Sequence, residues 1–205
     1  MPDDLGVGSS RHPAKLNHDR LEFAKWASLT RAHNRCTVPG EPLGSGDPVL
    51  FIHGCPTFPD VLDPIARAVA RTHLAMQVAL PGYGASAPLT PPFSIADIHA
   101  AIESTVAPLL GGRPLSVIGF SGGAYHAFAL AVRGNLPISR VDSLAGSMSQ
   151  APTTRDGFKQ FAAALRRGLD LHGIAPERFL SPGFRVSHPE AVRQVTAFST
   201  RYCPS

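Results

Sequence analysis

Through the middle of the chain, short unbroken apolar runs alternate with amphipathic stretches. VLFIH at 49–53 is a continuous apolar run, the pattern of a strand covered on both faces. DVLDPIARAVART at 60–72 carries Val61, Leu62, Ile65 and Val69 at helical spacing. LAMQVAL at 74–80 predicts the next strand, and the proline- and glycine-rich PGYGASAPLTPP at 81–92 predicts a loop. Ser94 and Asp97 form an S-x-x-D start for a helix running to about Leu110. PLSVIGF at 114–120 predicts a strand, Gly122 to about Arg133 a helix, and ISRVDSLAG at 138–146 a further strand.

Strands alternating with helices across short turns predict βαβ units. The expected fold class is therefore α/β, a mostly parallel sheet with flanking helices. Such sheets bind ligands at the carboxyl ends of their strands.

The ends of the chain differ from its middle. Residues 1–16 lack apolar periodicity and are expected to be flexible, while 17–33 carry helical spacing at Leu21, Trp26 and Leu29. TVPGEPLGSGDP at 37–48 is a turn-rich connector. After Gly146 the pattern turns helical. FKQFAAALRRGLDLHG at 158–173 predicts a helix, two prolines break 174–186, and Ser187, Pro189 and Glu190 mark a helix start for 187–200. No strand is expected there. The chain divides into an N-terminal extension (1–47), an α/β core portion (48–150) and a helical tail (151–205).

Composition narrows the class. An apolar fraction of 43% with 17% charged residues suits a globular chain of one domain. The net charge is +4, yet the basic residues are scattered and Arg166-Arg167 is their only adjacent pair, so no nucleic-acid partner is expected. Cys36, Cys55 and Cys203 have neither metal-ligand nor C-x-x-C spacing, which favours a reducing compartment. The first 20 residues lack the apolar stretch of a secretory signal, and no run reaches the roughly 18 apolar residues of a membrane span. A soluble cytoplasmic protein with no membrane partner is expected.

The candidate chemistry lies at two strand ends. Gly119-Phe120-Ser121-Gly122-Gly123 matches G-x-S-x-G between an expected strand and an expected helix. A sharp turn there exposes the serine oxygen, and the following helix aims free N–H groups at it. The Gly122 N–H is thus placed to donate to an oxyanion. HGCPTFP at 53–59 follows the first apolar run, where a backbone N–H around Cys55 is a candidate second donor. Nothing in the sequence marks the Cys55 thiol as activated.

Three stretches in order carry a family resemblance: VLFIHGCPTFP, LPGYGASAP and VIGFSGGAYHAFALA. From about Pro48 to Gln150 the chain resembles the first two-thirds of an α/β-hydrolase domain, and the tail from 151 resembles that family's helical lid. The resemblance implies Ser121 as nucleophile, with the Cys55 and Gly122 N–H groups as oxyanion hole. It implies ester-like acyl chemistry on a small-molecule substrate, with no metal or organic cofactor.

A serine nucleophile needs a histidine and an orienting carboxylate, which in this family follow in the order Ser, Asp/Glu, His. The strands that would carry them are not identifiable, so the domain is expected to stop short of the sheet's last strands. Asp156 followed by His172 or His188 fits the order formally, but neither histidine follows a strand. His126, five residues after Ser121, points elsewhere around its helix, and His53 is expected to hold the oxyanion loop. Tyr83 and Phe120 either line a pocket or pack. Two readings follow: a serine hydrolase, inactive or weakly active if the acid and histidine are missing, or a non-catalytic domain holding an apolar ligand beneath the lid. A homodimer covering the exposed sheet edge is one arrangement that the missing strands allow.

Overall fold

The computed structural model describes residues 36, 38, 42–55, 57–146, 152–167 and 180–193. Its centre is a four-stranded sheet built from β1 (Pro48–Ile52), β2 (Leu74–Val78), β3 (Leu115–Phe120) and β4 (Ile138–Leu144), in the spatial order β2-β1-β3-β4. Every pairing between these strands is parallel. Parallel neighbours need crossovers, and helices supply them: α1 (Asp63–Val69), α2 (Ile95–Leu110) and α3 (Gly122–Arg133). In the tail, α4 spans Pro152–Arg166, α5 spans Pro182–Ser187, and 189–193 are helical again. Among the described residues no strand follows β4.

Register sorts the apolar side chains onto two faces. Leu50 pairs with Met76 and Val117, and Ile52 pairs with Val78. These residues join Ile102, Val106 and Leu110 of α2 and Leu130 of α3 in one core. The alternate residues Val49, Phe51 and Ala75 pack with Leu62 and Ala66 on the opposite face. All five residues of β1 are buried, because helices cover both sides of that strand. Each fully buried Leu, Ile or Phe contributes about 1.5–3 kcal/mol.

The sheet edges differ. Beyond β2, Leu43 exchanges both main-chain hydrogen bonds with Ala75, at 3.0 and 2.8 Å, in one antiparallel bridge. At the other edge, none of the residues of β4 is fully buried: they are exposed or half-buried.

The elements match the expected alternation, with instructive shifts at their ends. The stretch expected as one helix over 60–72 is a 3-10 turn (Pro59–Leu62) followed by the shorter α1. Pro64 has no N–H to carry α-helical bonding back into the preceding turn. Strand β2 stops at Val78 rather than residue 80, because the Leu80 N–H bonds a side chain instead of the ladder. Strand β4 stops at Leu144, since Ala145 turns to a φ of 51°.

Helix α2 starts as its Ser94/Asp97 pair predicts. The Asp97 carboxylate accepts the Ser94 N–H and hydroxyl, both at 2.7 Å. The stretch 174–186, expected to be broken, contains α5, whose Pro182 sits in the first turn while Ser181 caps the Phe184 N–H at 3.3 Å. Helix α4 begins at Pro152, ahead of the expected 158. The expected helix at 17–33 and the flexible segment 1–16 lie outside the described residues.

Candidate functional site

The carboxyl ends of β1 and β3 meet at Ser121. Strand β3 ends at Phe120 and α3 begins at Gly122, so one residue makes the whole turn. Its backbone sits at φ 52°, ψ −119°, a region that favours glycine. Such a conformation costs a side-chain-bearing residue on the order of 1–3 kcal/mol and persists only where its surroundings impose it. Here the Ser121 N–H donates to the Leu144 carbonyl at 2.8 Å, and the Ser121 carbonyl accepts the Ala124 N–H at 3.1 Å. Gly123 lets α3 start directly against β1, because a Cβ there would collide with the Ile52 carbonyl.

The loop after β1 runs against this turn. A Cβ on Gly54 would stand 2.8 Å from the Ser121 Cβ and 3.3 Å from the Gly122 nitrogen. The Cys55 nitrogen lies 3.7 Å from where a Gly122 Cβ would sit. The fold thus brings Ser121, Gly122 and Cys55 together from two strand ends. Main-chain N–H groups beside a helix N-terminus suit a developing negative charge.

His53 directly follows β1 and is fully buried. Its Nε2 accepts the Leu80 N–H at 3.1 Å, so Nδ1 carries the proton and donates to the Gly54 carbonyl at 2.8 Å. Both nitrogens are engaged, and burial holds the ring below the usual imidazole pKa. This histidine is a strut between the loop after β1 and the end of β2, as the sequence suggested. Tyr83 meets its ring edge-on at 4.8 Å and Phe58 at 5.6 Å, while Phe120 packs into the core on the α1 face.

The other candidates have partners of their own. The His126 Nδ1 is 3.1 Å from the His99 Nε2, between α2 and α3. Asp156 is exposed and faces Lys159 at 3.6 Å. His188 stacks on Phe184 at 4.2 Å, and its Nδ1 meets the Ser187 hydroxyl at 2.8 Å. His172 and Cys203 lie outside the described residues. Among the described residues, no side chain hydrogen-bonds the Ser121 hydroxyl.

Cys55 is exposed. Cys36 is buried, and burial pushes its thiol pKa up to about 12. Among the described residues, no group of three or more His, Cys, Asp or Glu is placed to hold a metal ion, and no helix is long and apolar enough to cross a membrane.

Sequence reasoning passed over Thr57 and Leu80. Thr57 donates to the Gly54 carbonyl through its N–H at 3.1 Å and its hydroxyl at 3.0 Å. The only sequence signal for it is a hydroxyl residue in a turn-prone stretch, where such side chains bond nearby backbone.

Comparison with known proteins adds the family. Among solved structures, a thermophilic esterase from Thermogutta terrifontis superposes with a TM-score of 0.63 at 19% identity, covering 80% of this chain and 65% of its own. The enol-lactonase from Burkholderia xenovorans gives a TM-score of 0.67 at 17% identity, with 80% and 66% covered. An alpha/beta hydrolase from Sphaerobacter thermophilus gives 0.56 at 27% identity, with 77% and 60% covered. The chain therefore spans 60–66% of the length of these structures. No curated protein matches the sequence. The sequence profile of the alpha/beta hydrolase family matches residues 49–204, and the chain belongs to that family.

Proposed function

We propose that the chain is a serine hydrolase acting on an ester-like acyl substrate. Ser121 is the nucleophile, and the Cys55 and Gly122 N–H groups are the oxyanion donors. The observation that carries this reading is the Ser121 backbone, held at φ 52° between β3 and α3. Strain imposed on a serine whose hydroxyl has no described partner suits a reactive group better than a structural one. The esterase and the enol-lactonase among the similar structures are named for acyl hydrolysis, which fits the same class of substrate.

In the reaction, Ser121 Oγ attacks the acyl carbonyl carbon while a base takes its proton. The carbonyl oxygen becomes an oxyanion between the two N–H groups. The protonated base then gives that proton to the leaving oxygen as the intermediate collapses, which releases the alcohol and leaves an acyl-serine; water hydrolyses this ester by the same steps and restores the serine. No metal or organic cofactor enters these steps. Asp156, His172 and His188 stand as candidates for the acid and base.

The test is intact mass after incubation with a fluorophosphonate, beside a Ser121→Ala control. The expected result is one adduct, absent from the control. A folded chain that takes no adduct overturns the assignment, and a non-catalytic ligand-binding domain becomes the better account.

A further inference from the structure

The Gly54 carbonyl receives more hydrogen bonds than its turn requires. The Thr57 N–H closes the turn onto it at 3.1 Å. The Thr57 hydroxyl adds a second bond at 3.0 Å, and His53 Nδ1–H adds a third at 2.8 Å. A carbonyl oxygen offers two lone pairs, so three donors saturate it. This oxygen belongs to the peptide unit whose N–H is that of Cys55. In a trans peptide the two groups point in opposite directions. Whatever pins the oxygen therefore aims the N–H. Hydrogen bonds to a carbonyl also draw electron density from the amide nitrogen, and bonds linked in this way strengthen one another by roughly 10–30% each.

We infer that Thr57 and His53 are positioning residues that clamp the Gly54 carbonyl and thereby aim and polarise the Cys55 N–H toward an oxyanion formed at Ser121. The inference rests on the serine-hydrolase reading for the identity of the oxyanion. Its geometry does not depend on that reading. His53 reaches the loop from the end of β1 and is fixed in turn by the Leu80 N–H at 3.1 Å. Thr57 reaches the same atom from within the loop. The clamp is thus tied to the sheet on one side and local on the other, and the peptide between them has little freedom to rotate. Neither side chain touches the reacting atoms.

A clamp of this kind distinguishes a hydroxyl from its isosteres. Thr57→Val keeps the shape, the β-branch and the main-chain N–H but loses one donor. Thr57→Ser keeps the donor and loses a methyl group. Two measurements on the full chain read the consequence. The first is the rate of fluorophosphonate labelling at Ser121, in which the phosphonyl oxygen stands in for the oxyanion. Losing an oxyanion donor outright costs about 10²–10³ in rate. Loosening one is expected to slow labelling by about 10-fold in Thr57→Val, and Thr57→Ser is expected to recover most of that loss. The second is the carbonyl ¹³C resonance of Gly54, which moves upfield when a hydrogen bond to its oxygen is lost.

The expected result is slow labelling together with an upfield Gly54 carbon in Thr57→Val, at an unchanged thermal midpoint, and near wild-type values of both in Thr57→Ser. Labelling of Thr57→Val at the wild-type rate overturns the positioning role while leaving Ser121 as nucleophile. A Gly54 resonance that does not move overturns the clamp itself. A wild-type chain that takes no label overturns the serine reading and with it the catalytic role of the clamp. The carbon resonance still reports whether the hydroxyl sits on the carbonyl in that case.

Discussion

His99 on α2 and His126 on α3 face each other with Nε2 and Nδ1 3.1 Å apart, their rings edge-on at 77°. At that distance one nitrogen donates and the other accepts, so the two rings hold one proton between them.

Acid should weaken this pair. His99 is 4% exposed, and burial holds both rings below the usual imidazole pKa, His126 at about 4. Arg133 pushes His99 further down, while Glu103 opposes it. The folded pKa values lie below the unfolded ones, so the unfolded chain takes up protons first. The stability these histidines contribute is full above about pH 6.5 and is lost as the pH falls toward about 4. The expected loss is on the order of 2 kcal/mol, since one pKa unit is worth about 1.4 kcal/mol. Urea midpoints at pH 7.5 and 5 measure it. His126→Gln, which keeps a hydrogen-bonding partner for His99 and cannot titrate, should show a smaller fall; an equal fall would assign the acid sensitivity elsewhere.

Replacing Ser121 with glycine separates stability from chemistry. Glycine adopts φ 52°, ψ −119° without the penalty a serine meets there. Relief of on the order of 1–3 kcal/mol is offset in part by the roughly 0.5–1 kcal/mol entropy cost of glycine. Ser121→Gly is therefore expected to be more stable than the parent by about 1 kcal/mol and inert to fluorophosphonate. A thermal midpoint below that of the parent would contradict the strain.

Glu103 staples α2 to the end of α3. Its carboxylate accepts Arg133 Nε at 2.6 Å, Arg133 Nη2 at 3.2 Å and Asn135 Nδ2 at 3.0 Å. The Glu103 side chain is 13% exposed and that of Arg133 32%, so solvent partly screens the pair while its bidentate geometry strengthens it. Glu103→Gln removes the charge and keeps the shape, and it should cost about 1 kcal/mol, since the exposed Arg133 end of the pair is screened by solvent. The Arg133 bond holds the Glu103 carboxyl below its usual pKa. The stability it contributes is therefore present above about pH 4.5 and is lost as the pH falls through the lowered value. Denaturation of the variant at pH 7 tests the first expectation; a cost below about 0.5 kcal/mol would mark the pair as a screened surface contact.

Much of this fold is legible along the chain because its signals are local. Continuous apolar runs such as Val49–Ile52 appear where helices cover both faces of a strand. Ser94 and Asp97 announce a helix start that their own side chains build. Gly119 and Gly123 bracket Ser121 because a Cβ at either would strike the main chain packed against it. At the end of β2 a contact distant in sequence overrode the local pattern. Leu80 looks like a strand residue until the His53 ring claims its N–H.

Sequence alone determined the order of elements, the two strand ends that carry the chemistry and the residue at the turn, since each follows from neighbours a few positions apart. Only the tertiary structure decided what those residues do to one another. It seats Gly54 against Ser121, ties the His53 ring to the Leu80 N–H and pairs His126 with His99. The physical reason is that hydrogen bonds and close contacts depend on atomic distances across the sheet, and separation along the chain does not encode those distances.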